Sequence, residues 1–112
     1  MSKIDDRTRL RHMLDAAREA SLFIQGKTRA SLETERMLAL SLVKLIEIIG
    51  EAAAKVSSEK QEQLPQIPWS QIIGMRNRLI HAYFDIDLEI VWKTVVEDLE
   101  PLIAELEKIL GD

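Results

Sequence analysis

The chain has 112 residues, nearly half of them apolar, with few Gly or Pro and no cysteine. That length supports one domain with a real core, and the composition excludes a disordered chain, a disulfide framework and a thiolate metal site. The net charge of -4 argues against nucleic-acid binding through overall electrostatics, since such affinity comes mainly from phosphate neutralisation.

Charge is unevenly placed. Residues 1 to 30 hold seven basic side chains against four acidic ones, whereas residues 85 to 112 hold nine acids against Lys93 and Lys108. A nucleic-acid site would therefore be a local basic patch away from the C-terminal segment. Near the N-terminus, Lys3, Asp5, Asp6, Arg7, Arg9 and Arg11 stand where a signal peptide needs an apolar core, and no apolar run reaches spanning length. A soluble, cytoplasmic protein with no membrane partner is expected.

From Asp5 to about Gln25, Leu10, Met13, Leu14, Ala17, Ala20 and Ile24 recur at three- and four-residue steps, which predicts an amphipathic helix stopped by Gly26. Ser31 is the expected N-cap of a second helix running to about Val56. Leu38, Leu42, Leu45, Ile49 and Val56 form its stripe, and Met37, Leu40, Val43, Ile46 and Ile48 leave it apolar nearly all round, as the central helix of a bundle would be. Its one polar line is Lys44, Glu47, Glu51 and Lys55.

Ser57, Ser58, Pro65 and Pro68 punctuate a connection with one short helical turn. A third helix is expected from Trp69 to Phe84, with Pro68 just ahead of it. Asp87 is the expected N-cap of a last helix from Leu88 to Leu110, with a kink or break near Glu100 because Pro101 removes a backbone donor. No strand-period pattern is evident. The fold expected is all-α, an antiparallel bundle of four long helices plus one short helix or turn, forming a single domain over residues 1–112.

Within the third helix, Arg76 and Tyr83 lie two turns apart in a gap between apolar stripes, and Asn77 and His81 share the adjoining edge. A cation on such a surface needs a partner, a cavity or a second chain. Glu47 and Glu51 of the central helix are the carboxylates offered to Arg76. They resemble one side of a carboxylate metal site, but no Glu-x-x-His accompanies them, and structural pairing is the better reading. The blander alternatives are plain: Arg76 as a structural ion pair, His81 as a helix-edge residue, and Tyr83 as a packing aromatic. His12 reads as a solvent-edge residue, and Trp69 and Trp92 as packing anchors.

The segment Arg76-Asn77-x-x-x-His81-x-Tyr83 resembles the R-x4-H-x-Y motif of the HepT-like proteins, a branch of the HEPN superfamily of nucleotide-binding proteins. His12 to Ala16, Glu47 to Ala52, Ile67-Pro68-Trp69, Gly74 to Asn77 and Asp87 to Trp92 are similar to that branch as well. The resemblance implies a homodimeric helical bundle acting as the toxin of a toxin-antitoxin module, partnered by an MNT-type nucleotidyltransferase. It implies metal-independent cleavage of RNA, with no cofactor and no metal site. Arg76 and His81 would be catalytic, Asn77 an auxiliary polar residue, and Tyr83 the hydroxyl that the partner modifies with AMP.

Such cleavage needs a base for the 2′-hydroxyl proton, an acid for the leaving 5′-oxygen, and positive charge against the developing phosphorane. An imidazole can serve as base or acid near neutral pH. One histidine cannot easily do both in a single step, so a two-fold interface bringing two copies together is expected. The alternative, from a different class, is a dimeric partner of a nucleotidyltransferase that holds a nucleotide or RNA without cutting it.

Overall fold

The structure is a computed structural model that describes residues 4–82 and 85–112. Helix α1 (Asp6–Phe23) begins where the Asp5 side chain accepts a hydrogen bond from the Thr8 amide at 2.8 Å, satisfying one of the free donors of the first turn. It gives way to a turn in which Gly26 takes φ 74°, a left-handed conformation open to glycine because it lacks a Cβ.

The expected second helix arrives in two pieces. A single turn, α2 (Ser31–Thr34), is separated from α3 (Arg36–Ala54) by Glu35, whose ψ of 83° breaks the helical ladder. Ser31 is thus the first helical residue, not the cap of a long helix, and its Oγ accepts from the Thr28 amide. Lys27, in the turn ahead of α2, pairs with Glu35 at the break at 2.8 Å. Helix α3 ends at Ala54, short of Val56. Nor is it buried all round: Met37 is 84% exposed and Leu40 45%, because the neighbouring helices cover only its other sides.

Helix α4 (Ser58–Gln63) supplies the short turn in the connection, capped by the Ser57 hydroxyl. The expected helix from Trp69 to Phe84 is not continuous. It is divided into α5 (Trp69–Ile73) and α6 (Met75–Leu79) at Gly74, and then passes into an extended strand, β1 (Ile80–Ala82). That strand pairs antiparallel with β2 (Asp85–Ile86), with Ile80 opposite Ile86 and Ala82 opposite Asp85. The helix can end at Leu79 because the returning chain supplies a substitute partner: the Asp87 amide donates to the Leu79 carbonyl at 2.7 Å.

The last segment runs as α7 (Leu88–Lys93), a π-helical turn (Thr94–Asp98) and α8 (Leu99–Leu110), closed by Gly111 at φ 75°. Pro101 sits in the first turn of α8, where its missing donor costs least. The expected kink is realised upstream as the π turn, which widens the ladder before the proline without breaking the rod.

Contacts between side chains far apart in sequence fix the directions. Asp6 meets Ser57, Arg11 meets Asp112 and Arg18 meets Glu107, so α1 runs antiparallel to both α3 and α8. Gly50 faces the Ile72 and Ile73 carbonyls while Glu47 faces Arg76, so α5 and α6 run antiparallel to α3. Leu10, Leu14, Ala17, Ile46, Ile49, Leu79, Leu99 and Leu106 are almost wholly removed from water in one cluster between these rods. Each Leu and Ile among them contributes about 1.5–3 kcal/mol of burial. The result, among the described residues, is an all-α bundle with a two-strand appendage, and the site lies where the bundle passes into that appendage.

Candidate functional site

The site is built where α6 gives way to β1. Trp69 anchors the approach, its half-buried indole donating from Nε1 to the Leu64 carbonyl at 3.0 Å. Gly50 then lets α5 close on α3: a Cβ at that position would stand 3.3 Å from the Ile72 carbonyl oxygen and 3.4 Å from that of Ile73. With α5 held this close, the first turn of α6 lies across the polar line of α3.

Arg76 donates from Nε to Oε2 of Glu47 at 2.7 Å, and Lys44 donates to the other oxygen at 3.2 Å. The Arg76 guanidinium, followed by the Lys44 ammonium, holds the Glu47 carboxyl below its usual range. Arg76 is nevertheless 50% exposed, and its Nη groups make no hydrogen bond among the described residues. It is therefore a cation fixed at its root with an open fork, the form that recognises a phosphate by paired hydrogen bonds. Glu51, one turn along α3, is exposed and takes no part in this pair among the described residues.

His81 does not share a helical edge with Asn77, since it stands on β1. Its Nε2 lies 3.1 Å from Oδ2 of Asp87. The other oxygen of Asp87 accepts from the Ile90 amide, also at 3.1 Å, and so caps α7. The Ile90 amide first, and His81 second, hold the Asp87 carboxyl below its usual range. An ionised carboxylate can only accept, so Nε2 carries the proton facing it and Nδ1 of the neutral ring is left as the acceptor. Asp87 thereby favours the tautomer in which Nδ1 is the acceptor, and Nδ1 makes no hydrogen bond among the described residues.

Asn77 is exposed and its amide makes no side-chain hydrogen bond among the described residues. Tyr83 lies outside the described residues. Arg76 and His81 occupy consecutive elements, about 11 Å apart along the backbone by the rises of a helix and a strand. Separate anchors hold them, one on α3 and one at the head of α7. The residue that sequence reasoning missed is Asp87 in its second role. Its cap was legible, but its contact with His81 depends on the chain folding back after β1.

Residues 13–109 match the model of the family described as Ribonuclease HepT-like. The chain is 34% identical over 107 residues to "Putative RNase MJ1380" of Methanocaldococcus jannaschii, covering 96% of this chain and 98% of that one. It is 41% identical over 69 residues to "Probable ribonuclease HepT" of Thermococcus cleftensis, covering 62% and 63%. An RNase-named protein of Caldanaerobacter subterraneus is 31% identical over 101 residues, 90% of each chain. No solved structure matches the chain.

Proposed function

We infer that this chain, which belongs to the HepT-like ribonuclease family, cuts RNA with Arg76 and His81 by attack of a 2′-hydroxyl on the adjacent phosphorus. Membership makes it an RNA-cleaving enzyme of the HEPN type. The assignment of residues is carried by one observation, the 3.1 Å contact that leaves Nδ1 of His81 as the basic nitrogen.

In this reading Nδ1 accepts the 2′-hydroxyl proton as the 2′-oxygen bonds to phosphorus. The bond from phosphorus to the 5′-oxygen breaks, and that oxygen takes a proton from an acid, leaving a 2′,3′-cyclic phosphate and a 5′-hydroxyl. The Nη groups of Arg76 bind the non-bridging oxygens, where charge builds up. The step needs no metal ion.

The acid is the histidine of a second copy. A homodimer with the two α6–β1 corners facing each other gives one site two imidazoles and two guanidinium groups. His81 is 59% exposed and Arg76 50% in the single protomer, which leaves both accessible to such a partner. The same openness favours the second reading, a dimer that holds RNA or a nucleotide without cutting it.

The biological role we assign is that of the toxin in a toxin-antitoxin pair, neutralised by an MNT-type nucleotidyltransferase that adds AMP to Tyr83. Tyr83 is two residues beyond His81 in the chain. A nucleotide phosphate there would occupy the charge meant for RNA and block approach to the site. The test is coexpression with such a transferase, followed by intact-mass measurement and sedimentation. The expected result is a dimer whose wild-type chain gains adenylyl mass while Tyr83→Phe gains none and stays toxic. A monomer, or modification retained in Tyr83→Phe, would contradict this assignment.

A further inference from the structure

A cavity of about 200 Å3 lies between α2, the first turns of α3, and β2. Its apolar wall is Leu32, Ala39, Ile86 and Leu88, and Arg36 and Asp85 stand at its polar side. Clefts for drug-sized ligands usually run from about 300 to 1,000 Å3. This one suits a single flat ring. Glu33 also lines it, but is held by Arg29 at 3.0 Å. Arg36 and Asp85 are exposed, and neither side chain has a hydrogen bond or ion pair among the described residues.

The cavity sits beside the site already described. Its wall residue Ile86 is paired with Ile80 across the two-strand ladder, so β1, which bears His81, lies one strand spacing of about 4.8 Å from β2, the strand that lines the cavity. Leu88 follows Asp87, which holds His81. An RNA strand bound at His81 has only β2 to cross to reach this opening.

We propose that the cavity receives the base next to the cleaved bond and selects bases that carry an exocyclic amino group, an inference that rests on the RNA-cleaving reading. The Asp85 carboxylate accepts from the amino N–H of cytosine or adenine. Uracil presents a carbonyl oxygen at the corresponding position, which faces the carboxylate with no proton between them. Arg36 donates to that nucleotide's phosphate. Ile86 and Leu88, the partly exposed apolar residues of the lining, offer the ring one aliphatic face.

The test is equilibrium binding of oligocytidylate and oligouridylate of equal length to the full chain carrying His81→Ala, which prevents cutting. Oligocytidylate is expected to bind about tenfold more tightly, the discrimination one good base contact provides. Asp85→Asn should bring the two within about twofold, because an amide can donate as well as accept. Arg36→Gln should weaken both equally and lower the salt dependence by about one phosphate contact. Equal affinity for the two oligomers, or a preference that survives Asp85→Asn, overturns the base subsite alone. Binding of neither overturns it together with the ribonuclease assignment of this corner.

Discussion

Asp87 holds His81 with one carboxylate oxygen while capping the next helix with the other, at 3.1 Å in both cases. One side chain thus ties the tautomer of the imidazole to the start of α7. The two roles can be separated by substitution. Asn caps a helix about as well as Asp, but its amide can present either an oxygen or an NH2 to the ring. Asp87→Asn should therefore melt near wild type yet lose cleavage by about 100-fold, within the range of general acid-base catalysis. Asp87→Ala should lose both. Initial rates and melting curves measured on the same preparations check this.

Arg76→Lys keeps the charge but removes the planar fork and the Nε donor that Glu47 accepts at 2.7 Å. Cleavage should fall at least about tenfold, the order expected for one lost charged hydrogen bond. Stability should change by less than about 1 kcal/mol, because the pair is partly exposed. Denaturant titration beside the rate assay distinguishes loss of chemistry from loss of fold.

At Gly50 a larger side chain would press on the Ile72 and Ile73 carbonyls, which are backbone atoms and cannot swing aside. Gly50→Val should destabilise by about 1–3 kcal/mol, as overpacked helix contacts do. The strain falls on α5, so the contact between Arg76 and Glu47 should loosen and activity should fall more than the unfolded fraction accounts for. Comparing the rate per folded molecule tests that.

Acid sensitivity should come partly from the pairing between α1 and the C-terminal residues. The hydrogen bond from Arg11 holds the Asp112 carboxyl down from 3.8 to about 2, with Arg18 adding to the effect. A carboxyl depressed in the folded state stabilises it fully above its ordinary value and ceases to do so as pH falls through the depressed one. Wild type and Asp112→Asn should thus differ in melting temperature at neutral pH and converge between pH 3.8 and about 2. A difference that persists below that window would show the effect is not ionic.

Much of this was legible in the sequence because it rests on local chemistry. The three- and four-residue periodicity predicts α1 and most of α3, and Asp87 as an N-cap predicts the start of the last helix. Glu47 was one of two partners offered to Arg76, and the side-chain geometry chose it over Glu51. What could not be read was the end of the motif helix. No Gly or Pro stands between Leu79 and Glu100, and Ile80-His81-Ala82 is too short to declare a strand period. The helix stops there because a returning segment pairs with it, a non-local cause. The contact between His81 and Asp87 was hidden for the same reason. The exposure of Met37 and Leu40 was invisible too, since apolar residues all round a helix do not say which side its neighbours leave open.

The most direct test is incubation of a labelled RNA with the purified chain in EDTA, with wild type and His81→Ala side by side and both shown to be folded. Wild type is predicted to yield fragments ending in 2′,3′-cyclic phosphate, and His81→Ala to yield none. Equal cutting by His81→Ala would contradict the account.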